Sequence, residues 1–392
     1  MNTVKNNLLY ITTGYCNFLK DPCDILAKSF HNVYATILYY PLFDLLSYLP
    51  FTSLNSCRKK NIIDTSFSPS NINFFYSPIY FYSGIFRYEK AGQVHFKSVD
   101  KLISSNKLSF DIIHSQFIWS SGYAGTLIKQ KYNKPLVITA HGYDVYDLPF
   151  RNDNWRKIIK YVLNSADYII AVSNKNRKIL NELDIKTPIK VIPNGYRNDL
   201  FFPMDKNICR TQLGIPLNNK ILLTVGSLDE NKGQKYLIEA LNILSKNRSD
   251  FICYIIGEGN LRGKLIQQIN DLKLNNKVKL MGWMDHNKIP FWMNASDLFI
   301  LPSIRESFGV VQIEAMACGK PIVATMNGGS EEILISNDYG YLVSPGNSLE
   351  LAGSISKALD KKWNNELIIK YAERYAWKFI SKEILNVYNN FI

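Results

Sequence analysis

A chain of 392 residues with 46% apolar content can bury two cores, so two domains are expected. It has no run of about 18 uncharged apolar residues, and its six scattered cysteines form no C-x-x-C pair; a spanning helix, a disulfide framework and a zinc site are therefore not expected. The net charge of +13 is uneven, with 23 Lys and Arg against 13 Asp and Glu in residues 1–195 and 23 against 20 beyond. This asymmetry favours an anionic membrane face or an acidic acceptor as partner of the first half. Nucleic acid is not expected, because no recognition-helix, finger or RNA-binding pattern occurs.

The apolar segment near the amino end is too short for a secretory signal. It reads as a strand, Leu8 to Thr12, with a turn at Thr13-Gly14-Tyr15, where Gly14 either faces a ligand or makes a tight turn. Val33 to Phe51, broken by Pro41, Asp44 and Pro50, predicts one or two short helices, packed in the core or lying in a bilayer interface. Phe74 to Tyr88 is densely aromatic and ends in basic residues, which suits a membrane–water boundary or a packed loop. Asp111 to His114 reads as a strand delivering His114 and Gln116 to its carboxyl end, with a helix from Ser120. His114 either touches an acceptor or is a hydrogen-bonded structural residue. Pro135 to Ala140 is a strand followed by His141-Gly142-Tyr143-Asp144; a histidine at a strand's carboxyl end, next to glycine, is a ligand-contact candidate. Trp155 to Leu163 predicts an amphipathic helix, Ala166 to Ser173 a strand, and Lys190 to Gly195 a strand closed by an Asn-Gly turn.

Asn198 to Pro216, with Pro203, Gly214 and Pro216 and weak periodicity, is expected to be an interdomain linker. Ile221 to Val225 is a strand running into Gly226-Ser227-Leu228-Asp229-Glu230-Asn231-Lys232-Gly233. Phe251 to Ile256 leads to Gly257, Gly259 and Gly263, one residue longer in spacing than the plain dinucleotide fingerprint. Val278 to Trp283 is a further strand and loop. Leu298 to Leu301 then ends at Pro302, as a buried parallel strand would. The polar loop Ser303 to Ser307 carries Arg305 and Glu306, and Gly309 opens a helix with apolar residues at helical spacing. The amides of Phe308, Gly309 and Val310 are donors suited to a phosphate. Glu314 lies about 7.5 Å further along the helix axis, so Glu306 and Glu314 suit the hydroxyls of a sugar and a ribose. Pro321 to Ala324 is the next strand, Gly328-Gly329 precedes another helix, and Tyr339 to Asn347 is a strand and turn before a helix at Leu349 to Asp360. Tyr371 to Tyr388 is amphipathic.

The segment Glu306-SFGVVQI-Glu314, followed by AMACGKPIVAT, resembles the E-x7-E signature of retaining glycosyltransferases of family four (glycosyl transferases group 1). Ala140-His141-Gly142-x-Asp144 resembles that family's motif whose histidine lies beside the donor sugar. Gly226 to Gly233 resembles its G-R-L-x-x-x-K-G segment, in which Arg and Lys bind the donor diphosphate. Lys232 matches, but Ser227 stands where Arg is usual and can offer only a neutral hydrogen bond, which implies weaker phosphate binding, or compensation by Arg305 or by a residue of the first domain. The resemblance runs from about Phe110 to Tyr388 with specific motifs.

The resemblance implies an α/β protein of GT-B fold, two Rossmann-like doubly wound parallel-sheet domains facing a central cleft. Residues 1–197 would bind the acceptor, with a helix at about 375–392 packing back on them, and 198–374 would bind the nucleotide-sugar donor. It implies His141, Lys232 and Glu306 as catalytic residues, and Gly14, Ser227, Lys232, Gly257, Trp283, Met284, Ser307, Phe308, Gly309, Val310 and Glu314 as donor contacts. The expected reaction is retaining transfer of a hexosyl unit from a nucleotide diphosphate sugar, a UDP-sugar first, to a lipid-linked or cell-surface glycan in polysaccharide biosynthesis. No cofactor beyond that substrate is expected, and no metal, given the resemblance and the lack of a D-x-D triplet. The expected location is the cytoplasm, peripherally on the anionic inner face of the plasma membrane. The alternatives are a nucleotide-sugar epimerase of the same architecture, a nicotinamide oxidoreductase, for which the glycine spacing is wrong, and a two-lobed sugar-binding protein.

Overall fold

A computed structural model of the chain describes residues 6–47, 59–79 and 90–392. It divides into two units, Met1–Asn194 with Trp377–Ile392, and Gly195–Ala376.

In the first unit the described strands are β1 (Asn7–Thr12), β2 (Asn32–Tyr39), β3 (Ile72–Pro78), β4 (Ile112–Gln116), β5 (Leu136–Ala140), β6 (Tyr168–Ala171) and β7 (Ile189–Val191). They pair in the order β3-β2-β1-β4-β5-β6-β7, every neighbour parallel. A parallel sheet is covered on both faces, so its strands read as near-continuous apolar runs; every residue of β4 and β5 is buried. One face is covered by the helices Ala91–Ser105, Tyr123–Tyr132 and Asp153–Ser165 through Val99, Ile128, Trp155 and Ile159. The other is covered by Asn17–Ala27 and by Trp377–Tyr388, which contributes Trp377, Ile380, Ile384 and Tyr388. Local signals place these helices: the Asn152 side chain accepts from the Trp155 amide at 2.9 Å and caps Asp153–Ser165.

Three expectations are corrected in this unit. Val33 to Tyr39 belongs to β2 and not to a helix. Its branched and aromatic residues (Val33, Tyr34, Thr36, Ile37, Tyr39) fit a pleated, buried surface, and Pro41 starts only the short helix Pro41–Leu46. Phe74 to Pro78 is likewise part of β3, while residues 80–88 of that aromatic stretch lie outside the described residues. The strand at Asp111 runs instead from Ile112 to Gln116, and the following α-helix begins at Tyr123 after a wider turn at Ile118–Gly122.

The second unit contains β8 (Lys220–Val225), β9 (Phe251–Ile256), β10 (Val278–Gly282), β11 (Leu298–Leu301), β12 (Ile322–Thr325) and β13 (Gly340–Val343). They pair as β10-β9-β8-β11-β12-β13, again all parallel. The core on one face joins Leu237, Leu241 and Leu265 to Leu351 and Ile355. Strand order reverses beside β1 in the first sheet and beside β8 in the second. In open α/β sheets, ligands bind outside the carboxyl ends of the strands at such a point.

Two expectations are corrected here. Residues 198–216 are not a plain linker, since they contain the helix Lys206–Leu213. Asp205 caps it by accepting from the Ile208 amide at 2.8 Å, and Gly214 ends it at φ 65°. The amphipathic stretch 371–388 is not one helix. Asn365–Ala372 ends in a tight turn at Glu373–Tyr375, Ala376 is extended, and Trp377–Tyr388 starts afresh.

Candidate active site

In the second unit, the loops leaving β8 and β11 are tied together before any side chain is considered. Asp229 accepts from the Asn231 amide at 2.9 Å and starts the turn Glu230–Lys232. Gly233 follows at φ 64°, and a Cβ there would lie 2.1 Å from the Pro302 carbonyl oxygen, so glycine is required for the close approach. The Ile304 amide donates back to Asn231 O at 2.7 Å. This brings Lys232 Nζ to 2.6 Å from Glu306 Oε1, with the Ser303 hydroxyl donating to the same oxygen at 3.0 Å. The Glu306 amide donates to Asn327 O at 3.1 Å, and Asn327 Oδ1 accepts from the amides of Gly329 and Ser330, both at 3.0 Å.

Beside this pair, Gly309 at φ 86° turns the chain into the helix Val310–Ala317. Phe308 is buried with its ring 5.7 Å from that of Tyr375. The amides of Phe308 and Gly309 have no backbone acceptor among the described residues, and Val310 is the first residue of the helix, where amides lack an intrahelical partner. Glu314, 7% exposed, has its Oε1 3.0 Å from His286 Nε2, and the His286 ring lies 5.1 Å from that of Phe201. The Ser227 hydroxyl donates to Asp229 Oδ2 at 2.5 Å. Trp283 is 63% exposed and Met284 half-buried. Gly257 serves backbone packing, since a Cβ there would meet the Gly226 carbonyl at 1.9 Å.

In the first unit, His141 follows β5 in an aromatic enclosure, its ring 4.6 Å from Phe117 and 5.3 Å from Phe18. Its Nε2 lies 2.7 Å from Gln116 Oε1. An amide oxygen only accepts, so with this amide orientation Nε2 carries the proton. Nδ1 is then an acceptor, and it is buried without a partner among the described residues. Burial pulls His141 down to about 3, so the ring is neutral at ordinary pH. Asp144 holds the surrounding loops, accepting from the amides of Ile118 and Gly142, each at 2.7 Å. Burial pushes it up to about 6 against the pull of these amides. His114 is enclosed inside β4, with Nδ1 2.5 Å from the Tyr388 hydroxyl and Nε2 2.7 Å from Thr139 Oγ1. Of its two sequence readings, this geometry is the structural one, and Gln116 is engaged with His141. Gly14 sits in a tight buried turn, its carbonyl accepting from the Thr12 hydroxyl at 2.7 Å.

Two family models match the chain, Glycosyltransferase Family 4 over residues 71–199 and Glycosyl transferases group 1 over residues 205–375. The chain belongs to the group 1 glycosyltransferases. It is similar to an uncharacterised glycosyltransferase of Methanocaldococcus jannaschii, 28% identical over 311 residues, which are 75% of this chain and 81% of that protein. Among solved structures it is similar to sucrose-phosphate synthase from Thermosynechococcus elongatus, with a TM-score of 0.76 at 23% identity over 98% of this chain and 99% of that one. It is also similar to the Anabaena protein HepE in complex with UDP-glucose, with a TM-score of 0.74 at 22% identity over 98% and 100%. The two parallel-sheet units are those of the GT-B fold.

In this glycosyltransferase the structure brings Lys232, Glu306, Ser307, Phe308, Gly309 and Val310 to one end of the second sheet, at the loops after β8 and β11. Glu314 lies on the following helix and Ser227 on the same β8 loop, but the hydroxyl of Ser227 is turned to Asp229. Asp229, Ser303 and Asn327 were missed by sequence reasoning. The signal for Asp229 was present, as an acid two residues before an amide it can cap; Ser303 carried none, because its role depends on a side chain three positions away in an irregular loop. Among the described residues no cluster of three or more His, Cys, Asp or Glu is placed to hold a metal.

Proposed function

We propose that this glycosyltransferase is a retaining hexosyltransferase using a nucleotide diphosphate sugar, a UDP-sugar first, with a lipid-linked or cell-surface glycan as acceptor. The observation that carries the reading is the Lys232–Glu306 pair at 2.6 Å, set beside the amides that open the helix at Val310. An ammonium has three donors, so Lys232 can hold Glu306 and a phosphate oxygen together. The HepE complex with UDP-glucose supports a nucleotide-sugar donor.

In this reading the second unit binds the donor. Lys232 and the amides of Phe308 to Val310 stabilise charge building on the departing diphosphate, the kind of preorganised site worth several kcal/mol at the transition state. Glu306 grips hydroxyls of the hexose and Glu314 those of the ribose. Exposed Trp283, with Met284, flanks the base. The first unit binds the acceptor, and neutral His141 presents there an Nδ1 that has no partner among the described residues and can accept a hydrogen bond from a sugar hydroxyl. The acceptor oxygen attacks the anomeric carbon on the face that the diphosphate leaves. The carbon–oxygen bond to phosphate breaks with its electron pair going to the diphosphate, whose departing oxygen takes the acceptor's proton. Glu306 positions the sugar and forms no covalent bond. The route needs no metal.

A peripheral membrane location on the cytoplasmic side, for polysaccharide assembly, is part of the same proposal. It is supported by the excess of basic residues in 1–195 and by exposed Leu42, Leu45 and Phe67 in the first unit. No helix of the described residues is long and apolar enough to cross a membrane. Sedimentation with vesicles of anionic phospholipid, against neutral vesicles, tests it: binding to the anionic set alone, lost in high salt, is expected. The donor is tested with a panel of UDP-, GDP- and ADP-sugars, in which one UDP-sugar is expected to raise the unfolding temperature and turn over slowly. A panel without effect on either readout contradicts the donor assignment.

A further inference from the structure

The second unit has a cavity of about 370 Å³ at the amino ends of its central strands, the opposite end from Lys232 and Glu306. Lys220 begins β8, Asp297 immediately precedes β11, and Lys320 lies two residues before β12. These parallel strands are four to six residues long, which separates the cavity from the carboxyl-end loops by roughly 13–20 Å at the usual rise per residue.

Among the described residues, the cavity is lined by four lysines (Lys206, Lys220, Lys320 and Lys361) and a single carboxylate, Asp297. That carboxylate is already engaged by Arg210 Nη2 at 2.6 Å and by Lys206 Nζ at 3.1 Å. Lys320 is only 8% exposed, and one of its three N–H donors goes to Asn294 O at 2.8 Å. Burying an ammonium is costly unless it is paired and hydrogen-bonded. The neighbouring thiols do not supply the counter-charge, because burial pushes Cys318 up to about 12 and raises Cys209 as well. Burial also pulls Lys320 down to about 8, which leaves it a cation below that pH. Half-buried Trp363 adds an apolar wall, and the volume is that of a small-ligand site.

We propose that this cavity binds a small phosphorylated organic molecule, its phosphate among Lys206, Lys220 and Lys320 and its body against Trp363. The assignment is independent of the donor reading, since it uses neither Lys232 nor Glu306.

Isothermal titration of the full chain with glucose 6-phosphate and, separately, with inorganic phosphate tests it. Saturable binding of glucose 6-phosphate, tighter than that of inorganic phosphate, is expected. Lys320→Met and Lys220→Ala should each weaken it about tenfold or more, the worth of a hydrogen bond to a charged group. Lys232→Ala, beyond the carboxyl ends of the same strands, should leave it unchanged. Should Lys320→Met fail to fold, Lys220→Ala at the strand start still reads the site. Absence of saturable binding, equal affinity for inorganic phosphate, or loss in Lys232→Ala but not in Lys220→Ala overturns the proposal.

Discussion

At the carboxyl end of β5, His141 is 6% exposed, neutral, and surrounded by aromatic rings, with Gln116 as its hydrogen-bond partner. At the carboxyl end of β11, Glu306 meets Lys232 with both side chains partly open to solvent. Both loops follow parallel strands in doubly wound sheets, yet one is organised by desolvation and the other by charge. The difference teaches that the same topology supports two kinds of loop cluster: one in which removing water sets the protonation state, and one in which opposite charges meet in partly solvated surroundings. Substitutions should therefore act on packing and acid stability in the first unit, and on turnover and anion affinity in the second.

The largest effect is expected where charge organises the site. Glu306→Ala and Lys232→Ala should each lower kcat by about 10²–10³-fold, the range for removing one preorganised group at a reacting centre, with the fold retained by circular dichroism. Near-normal turnover in Glu306→Ala removes the assignment. Next comes the contact that aligns the two loops. Gly233→Ala forces a Cβ onto the Pro302 carbonyl at positive φ and should cost about 3 kcal/mol in urea unfolding; a smaller cost than about 1 kcal/mol means that the β8 loop adapts.

In the first unit the test is acidity. Burial pulls His95, His114 and His141 from 6.5 to about 3. The unfolded chain therefore binds protons that the folded unit does not between those values, and stability rises with pH across the window. Asp144, raised from 3.8 to about 6, and Asp24, also raised by burial, act in the opposite direction but are two carboxyls against three imidazoles. Unfolding free energy should fall by roughly 1–2 kcal/mol per imidazole between pH 6.5 and 5, and a variant such as His114→Asn should flatten that slope. Stability that increases on acidification contradicts the buried neutral imidazoles. The smallest effect is expected from Ser227→Arg, which restores a cation beside the β8 loop and should tighten UDP binding about three- to tenfold; unchanged affinity means that the missing charge is not limiting.

The β11–loop–helix segment was legible in the sequence because Pro302 and Gly309 punctuate it and the helix after Gly309 has clear periodicity. The run Val33 to Tyr39 was not, because a short apolar run with few polar interruptions fits a buried strand or a helix equally. The helix Lys206–Leu213 was hidden between prolines, with Asp205 before it and Gly214 after it as its local signs. The break at Ala376 was invisible, since alanine favours helix; it is set from a distance by the Tyr196 amide donating to Tyr375 O at 3.0 Å. The site was legible as residue types but not as partners. Lys232 and Glu306 are 74 positions apart, and nothing local indicates that they pair or that the Ser227 hydroxyl is taken by Asp229.

The central claim is that Lys232, Glu306 and the amides at Phe308 to Val310 hold a diphosphate sugar for transfer with retained configuration. It is tested most directly by proton NMR of the product formed from a UDP-sugar and a lipid-linked glycan acceptor, with wild type and Glu306→Ala run side by side. A new glycosidic bond with the donor's anomeric configuration, lost in the variant, is the predicted result. An inverted product, or equal product from both proteins, contradicts it.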